Sequence, residues 1–348
     1  MILSDMKTQG FRRRPRVLLA AASAAAAALF AGSAVSSSTA AARATASIPG
    51  VVDINTNLRY ESAAAAGTGI VLTSSGEVLT NNHVIRGATT IRVTDTSSGH
   101  SYPATVAGYD PTADIALLRL KGASHLKTVT LGRSSTVKVG QLVTAVGNAG
   151  GTGGAPLVTR GRVTRLNRSI TVSDSGETQR LTQLIETNAS LQPGDSGGPL
   201  LNASGRVIGI NTAASVRFAF QTGSSAGFAT PIDRAVAVVK QIESGRSSGT
   251  VHVGPTAFLG VGVAAAGGEG SAGVVITGVV DGSPAATAGL AIGDVITSFD
   301  GQTISSPATL RTLVLGRAPG ASVQLAWVAQ SDGGTRSANV RLATGPPQ

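Results

Sequence analysis

The chain has 348 residues, 45 of them Gly, with no cysteine and only 3% aromatics, so its cores must be built from Val, Leu, Ile and Ala. Without cysteine it can hold no disulfide framework, thiolate nucleophile or Cys-based zinc site. The formal charge of +10 does not point to nucleic acid: six basic residues crowd into positions 1–44 against Asp5, and the other 22 basic and 17 acidic residues are scattered without an aromatic-interleaved stripe.

Residues 1–47 read as an export signal or membrane anchor. Arg12, Arg13, Arg14 and Arg16 precede a charge-free run from Val17 to Val35, and small residues follow at Ala42-Arg43-Ala44 and Ala44-Thr45-Ala46. Basic, apolar, then small is the order of a secretory signal. The run is just long enough to span a bilayer, but it is mostly Ala, which inserts weakly, so cleavage is favoured over anchoring. Both readings place the rest outside the cytoplasm, secreted or tethered.

From 48 to 242 short β-rich runs recur between Gly, Ser, Asn and Asp, as in Gly69–Thr73, Thr90–Thr94, Asp114–Leu120, Gln141–Val146 and Arg206–Ile210. Even spacing of short strands predicts a mostly β sandwich or barrel. One helix is predicted over Pro231–Ile242, with Ala235, Val236, Val238 and Val239 as its apolar face. Residues 243–254 are polar and turn-rich and read as a linker. A second β-rich unit covers 255–345, and Gly345–Gln348 is expected to fray.

Gly194-Asp195-Ser196-Gly197-Gly198 can present a nucleophile. A serine hydroxyl needs a general base and an oxyanion site to attack a carbonyl at neutral pH, and the N–H groups of Gly194 and Ser196 are natural donors. Of four histidines, His100 and His125 lie in polar, turn-like contexts and His252 on the linker side. His83, at the end of the apolar run in Leu79-Thr-Asn-Asn-His83-Val-Ile85, is the candidate base. Asp114 opens the apolar run Ile115–Leu120, where an acid is costly unless paired. Its competitor Asp110 reads as a turn residue before Pro111. The dispersed histidines give no support for a metal site. Gly150–Gly154 lacks the Gly-Lys-Ser/Thr of a phosphate loop and is followed by Pro156 where a helix should start.

The order His83, Asp114, Ser196, with Gly67-Thr68-Gly69, Val146-Gly-Asn-Ala149, Thr187-Asn-Ala189, Val207-Ile-Gly-Ile-Asn211-Thr212 and Gly227-Phe-Ala-Thr-Pro231, resembles the HtrA/DegP serine proteases. The resemblance implies a trypsin-like double six-stranded β-barrel. It places substrate-binding residues at Thr187, Ala189, Ile210, Asn211 and Thr212, where no acid is evident, so small aliphatic residues are expected before the scissile bond. Two positions depart from the family: Asp195 and Asn188 stand where it often has Asn and Asp. Digestive trypsins pair the Asp before their serine with an amine made by zymogen cleavage. No such start is visible here, which leaves the partner of Asp195 open.

The second unit resembles a PDZ domain. Phe258-Leu259-Gly260-Val261 is similar to its carboxylate-binding loop, and Gly278–Leu290 and Gly293–Gly301 to its later segments. Such a domain adds a C-terminal peptide to a sheet edge. Together these features predict an extracytoplasmic, cofactor-free endopeptidase acting on unfolded or regulatory proteins, with protein quality control as the family's task. C-terminal peptides at the PDZ domain are the expected partners, and a homotrimer is implied by the resemblance. The alternative is a chaperone or peptide-binding protein with vestigial protease activity.

Overall fold

The computed structural model describes residues 44–45, 48–174, 177–212, 218–220, 226–266 and 273–348. The leader expected at 1–47 therefore lies outside the described residues except for 44–45.

The first barrel is made of β1 (Val51–Leu58), β2 (Ala63–Val71), β3 (Glu77–Thr80), β4 (Thr90–Asp95), β5 (Ser101–Asp110) and β6 (Ile115–Leu120). They run β5-β4-β1-β2-β3-β6, and pairing of β5 with β6 closes the cylinder. A short helix, α1 (Asn82–Ile85), follows β3. The second barrel contains β7 (Leu142–Gly147), β8 (Leu157–Asp174), β9 (Glu177–Thr187), β10 (Pro199–Asn202), β11 (Val207–Thr212) and β12 (Gly227–Pro231). Their order is β8-β9-β12-β11-β10-β7, closed by β7 with β8. Closure leaves no long free edge. The expected double six-stranded barrel is the observed fold.

The packing explains why β6 reads as an unbroken apolar run rather than an alternation. Ala116, Leu118 and Leu120 face the interior of the first barrel. Ile115 and Leu117 face the seam between barrels, with Ile70 and Leu79 from the first and Val146, Val207 and Ile210 from the second. Burying each such side chain stabilises the fold by roughly 1.5–3 kcal/mol. The seam is sealed by α2 (Ile232–Glu243), which buries Ile232, Ala235, Val238, Val239 and Ile242. Pro231 is its N-cap, one residue earlier than a first-turn position.

The PDZ-like unit has β13 (Thr256–Phe258), β14 (Val261–Ala265), β15 (Val274–Val279), α3 (Pro284–Thr287), β16 (Val295–Phe299), α4 (Pro307–Leu315), β17 (Ser322–Val328), β18 (Thr335–Arg341) and β19 (Ala343–Gly345). Strands β14 to β18 form one sheet in chain order, while β13 pairs with β19. Phe299, Leu325 and Trp327 lie in its core.

Two segments are more tightly held than their composition suggests. Within the polar run read as a linker, Val251 is buried, and His252 and Val253 pair with Tyr109 and Gly108 of β5. Gly345–Gln348 does not fray: Pro346 and Pro347 are buried, and backbone and side-chain groups of the first barrel bind the backbone oxygens of Pro347 and Gln348, as detailed below.

Candidate active site

The segment Asp110–Asp114 is a compact turn. Asp110 Oδ1 accepts from the N–H and hydroxyl of Thr112 and from the N–H of Ala113, while the N–H of Asp114 donates to the Pro111 carbonyl. Asp110 is thus occupied as the turn residue its sequence context suggested. Asp114 adopts φ of 55°, a left-handed conformation that Asp tolerates better than most residues. Its carboxylate accepts from the N–H of His83 at 3.0 Å and lies 2.8 Å from His83 Nδ1 through Oδ2. The two side chains are 2% and 8% exposed. Asn81 Nδ2 donates to the Asp114 carbonyl at 2.8 Å. The acid that would be costly alone is therefore paired, and its pairing fixes the imidazole through Nδ1.

Ser196 precedes β10 and is 3% exposed. Its turn is bound to the first barrel by Thr68 on β2. The N–H of Thr68 donates to the Ser196 carbonyl at 2.8 Å, and its hydroxyl donates to the Gly194 carbonyl at 2.7 Å. The same oxygen accepts from the N–H of Asn148 at 2.8 Å, and the Thr68 carbonyl accepts from the Thr80 hydroxyl at 2.7 Å. One residue thus ties the serine turn, the loop after β7 and the strand leading to His83. From sequence, Thr68 is no more than a residue in a glycine-flanked strand.

The glycines beside it are required by close approach. A β-carbon on Gly67 would come within 2.7 Å of the Val84 methyls and 3.3 Å of the Ser196 carbonyl oxygen. The backbones bearing His83 and Ser196 therefore converge across Gly67. Gly197, at φ of 83°, would carry its β-carbon 2.0 Å from the Thr68 carbonyl oxygen. Asp195 is held by its own loop: Oδ2 accepts from the Gln192 N–H at 2.9 Å, and the side chain covers Gly147, where a β-carbon would meet Oδ1 at 2.7 Å. The Gly150–Gly154 loop is tied to the same region, since Gly150 N–H donates to the Pro193 carbonyl and Gly154 N–H to Asp53 Oδ2. Asp53 is buried on β1, and burial pushes its carboxyl up to about 6.

The expected substrate-binding residues are all buried. Thr187 donates its hydroxyl to the Arg162 carbonyl and accepts from the Ala189 N–H. Asn211 Nδ2 donates to the carbonyls of Val146 and Pro199, and Ile210 packs in the seam. These side chains support the wall of the site. Thr212 ends β11, and residues 213–217 beyond it lie outside the described residues. Asn188 is exposed and its Oδ1 accepts from the Arg162 N–H.

In the second unit, Phe258, Leu259, Gly260 and Val261 line a groove with Leu310, Val314 and others of α4. Gly260 has φ of 86°, and a β-carbon there would strike Ser283 at 2.2 Å.

Comparison with known proteins assigns both units to families. The trypsin-like peptidase domain family matches residues 67–210, and the PDZ domain family matches 257–342. The chain is similar to serine protease PepD of Mycobacterium tuberculosis, 35% identical over 86% of this chain and 65% of that protein. The chain belongs to the HtrA/DegP-like serine proteases. A probable periplasmic serine endoprotease DegP-like from Pseudomonas fulva is 35% identical over 83% of this chain and 58% of its own length. A solved structure, HtrA-type protease AlgW with tripeptide, is 31% identical and covers 86% of this chain and 95% of that one, with a TM-score of 0.48. The chain thus spans 54–65% of the length of the curated relatives it matches.

Proposed function

We propose that the protein is an extracytoplasmic serine endopeptidase with His83, Asp114 and Ser196 as its triad. The observation that carries this reading is the buried His83–Asp114 pair, with Nδ1 and Oδ2 2.8 Å apart, whose backbone converges across Gly67 with a serine turn pinned by Thr68. Asp114 holds Nδ1 protonated, which leaves Nε2 to accept the Ser196 proton. Ser196 Oγ attacks the scissile carbonyl, and the N–H groups of Gly194 and Ser196 take the oxyanion, each such donor contributing about 2.7–4 kcal/mol. His83 passes its proton to the leaving amine. Water then cleaves the acyl-enzyme, with His83 as base again.

Thr187, Ala189, Ile210, Asn211 and Thr212 form the wall beside the nucleophile. Their lack of a carboxylate supports small aliphatic residues before the scissile bond. The Phe258–Val261 groove receives C-terminal peptides of protein substrates or regulators. Residues 1–47 act as the export segment, 48–242 as the protease domain, 243–254 as a connection and 255–345 as the PDZ domain. Assembly as a homotrimer belongs to the same reading.

A fluorophosphonate probe tests it. Labelling of the protein, absent from Ser196→Ala, is the expected result. A folded protein that binds C-terminal peptides but neither labels nor cleaves casein would instead be a peptide-binding chaperone.

A further inference from the structure

We infer that residues 346–348 act as a strap that positions the His83 turn and connects it to the PDZ groove. This inference rests on the proposed role of His83. Helix α1 has four residues and no side-chain N-cap. So short a helix has no stability of its own, so its orientation must come from what it touches. Asp114 holds one side. The strap holds both ends: the N–H of Gly87 donates to the Pro347 carbonyl at 2.8 Å, and Asn82 Nδ2 donates to the backbone oxygen of Gln348 at 3.2 Å. These two bonds bracket His83.

The strap also meets the PDZ-like unit. Gln348 lines the groove beside Leu259 and Gly260. Strand β19, just before the strap, pairs with β13 through Phe258↔Ala343 and Thr256↔Gly345. A β-carbon on Gly345 would come within 2.3 Å of Phe258, whose ring stacks on Tyr60 of the first barrel at 5.2 Å and 11°. The Tyr109 hydroxyl lies 3.3 Å from that of Thr256 and is hydrogen-bonded to the Gln348 backbone. Two consecutive prolines restrict the backbone between these anchors, so the link is stiff. A peptide seated at the carboxylate loop touches Gln348, and Gln348 touches the residue before His83. Groove occupancy and imidazole placement are thereby coupled.

The test compares the full chain, a chain lacking 346–348, and Asn82→Leu, which removes one donor without shortening the protein. Each is assayed on a short chromogenic peptide, with thermal melting as the check on folding. A six-residue peptide ending in Leu-Val, which binds only the groove, is then titrated in. The expected result is a fall in kcat of about tenfold in both variants, typical of a coupling between sites, with KM within about twofold. Adding the free peptide Thr-Gly-Pro-Pro-Gln should restore part of the rate to the truncated chain. The groove peptide should alter kcat in the full chain and not in the truncated one. Unchanged kcat in a folded variant that still responds to the groove peptide would overturn the strap. Failure of the full chain itself to show Ser196-dependent cleavage would overturn the proposed function instead.

Discussion

Thr68 donates its backbone N–H to the carbonyl of Ser196 at 2.8 Å, so the proposed nucleophile in one barrel is suspended from a strand of the other. With the hydroxyl bonds to Gly194 and Asn148, this makes the serine turn dependent on a threonine far from it in sequence. Thr68→Val keeps the shape but strands one carbonyl and one N–H in a buried place. The expected cost is roughly 2–6 kcal/mol of stability, at 1–3 kcal/mol for each unpaired group. Because Gly194 is one of those groups, kcat should fall by at least about tenfold while KM changes little, a sign of lost transition-state stabilisation. Denaturant titration and steady-state kinetics on a small peptide check both parts.

The two candidate acids separate cleanly. Asp114→Asn retains the volume but can no longer hold His83 in the required tautomer, and kcat should drop by about 10⁴. Asp110→Ala loses a turn cap, worth about 1 kcal/mol, and should leave kcat/KM within a few-fold. The reverse ranking would reassign the acid.

The proposed catalytic residues were legible because each sits in a short local signature: a histidine ending a β-run, an acid opening one, a serine among glycines. The unbroken apolar run of β6 announced a strand buried on both faces. Thr68 was not legible, since threonine is an ordinary strand residue and its four bonds arise only when the barrels meet. The burial of Pro346 and Pro347 escaped for a related reason. A Gly-Pro-Pro segment reads as unstructured until Gly87 and Asn82, remote in sequence, supply its partners. The run 243–254 reads as a linker by composition, yet Val251 and the pairing with β5 tie it down through contacts that composition does not carry.

Asp53 gives a pH signature. Its carboxyl is raised from 3.8 to about 6 because burial disfavours the charge more than the Gly154 N–H relieves it. The folded state then binds this proton more readily than the unfolded one between about pH 4 and 6. Its contribution is fully favourable below pH 4 and is lost as pH rises through 6, a fall of up to about 3 kcal/mol at 1.36 kcal/mol per unit. Asp53→Asn removes the titration. Urea midpoints of the two proteins, measured from pH 4 to 8, should diverge across the window from 4 to 6 and run parallel above 7. Curves parallel throughout would place the raised carboxyl elsewhere.

Asp195 bears on how activity is switched on. Its Oδ2 accepts from the Gln192 N–H within its own loop, and its side chain fills the space left by Gly147. Val51 and Val52 lie within β1, registered against Ile70 and Gly69 of β2, and both are fully buried. Freeing an amine at either would tear an interior strand from its sheet. The serine turn should therefore reach its working shape without a new chain start. A protein beginning at Ile48 and the same protein with a fused N-terminal tag should agree in kcat/KM within about twofold, since neither the Gln192 bond nor the Gly147 contact involves the chain start and the hydrogen bonds at stake are worth about 1–3 kcal/mol each. Asp195→Ala should lower kcat in both alike, because it removes the acceptor of Gln192 whatever precedes residue 48. A tag that silences the protein until it is cut off would show that Asp195 needs an amine after all.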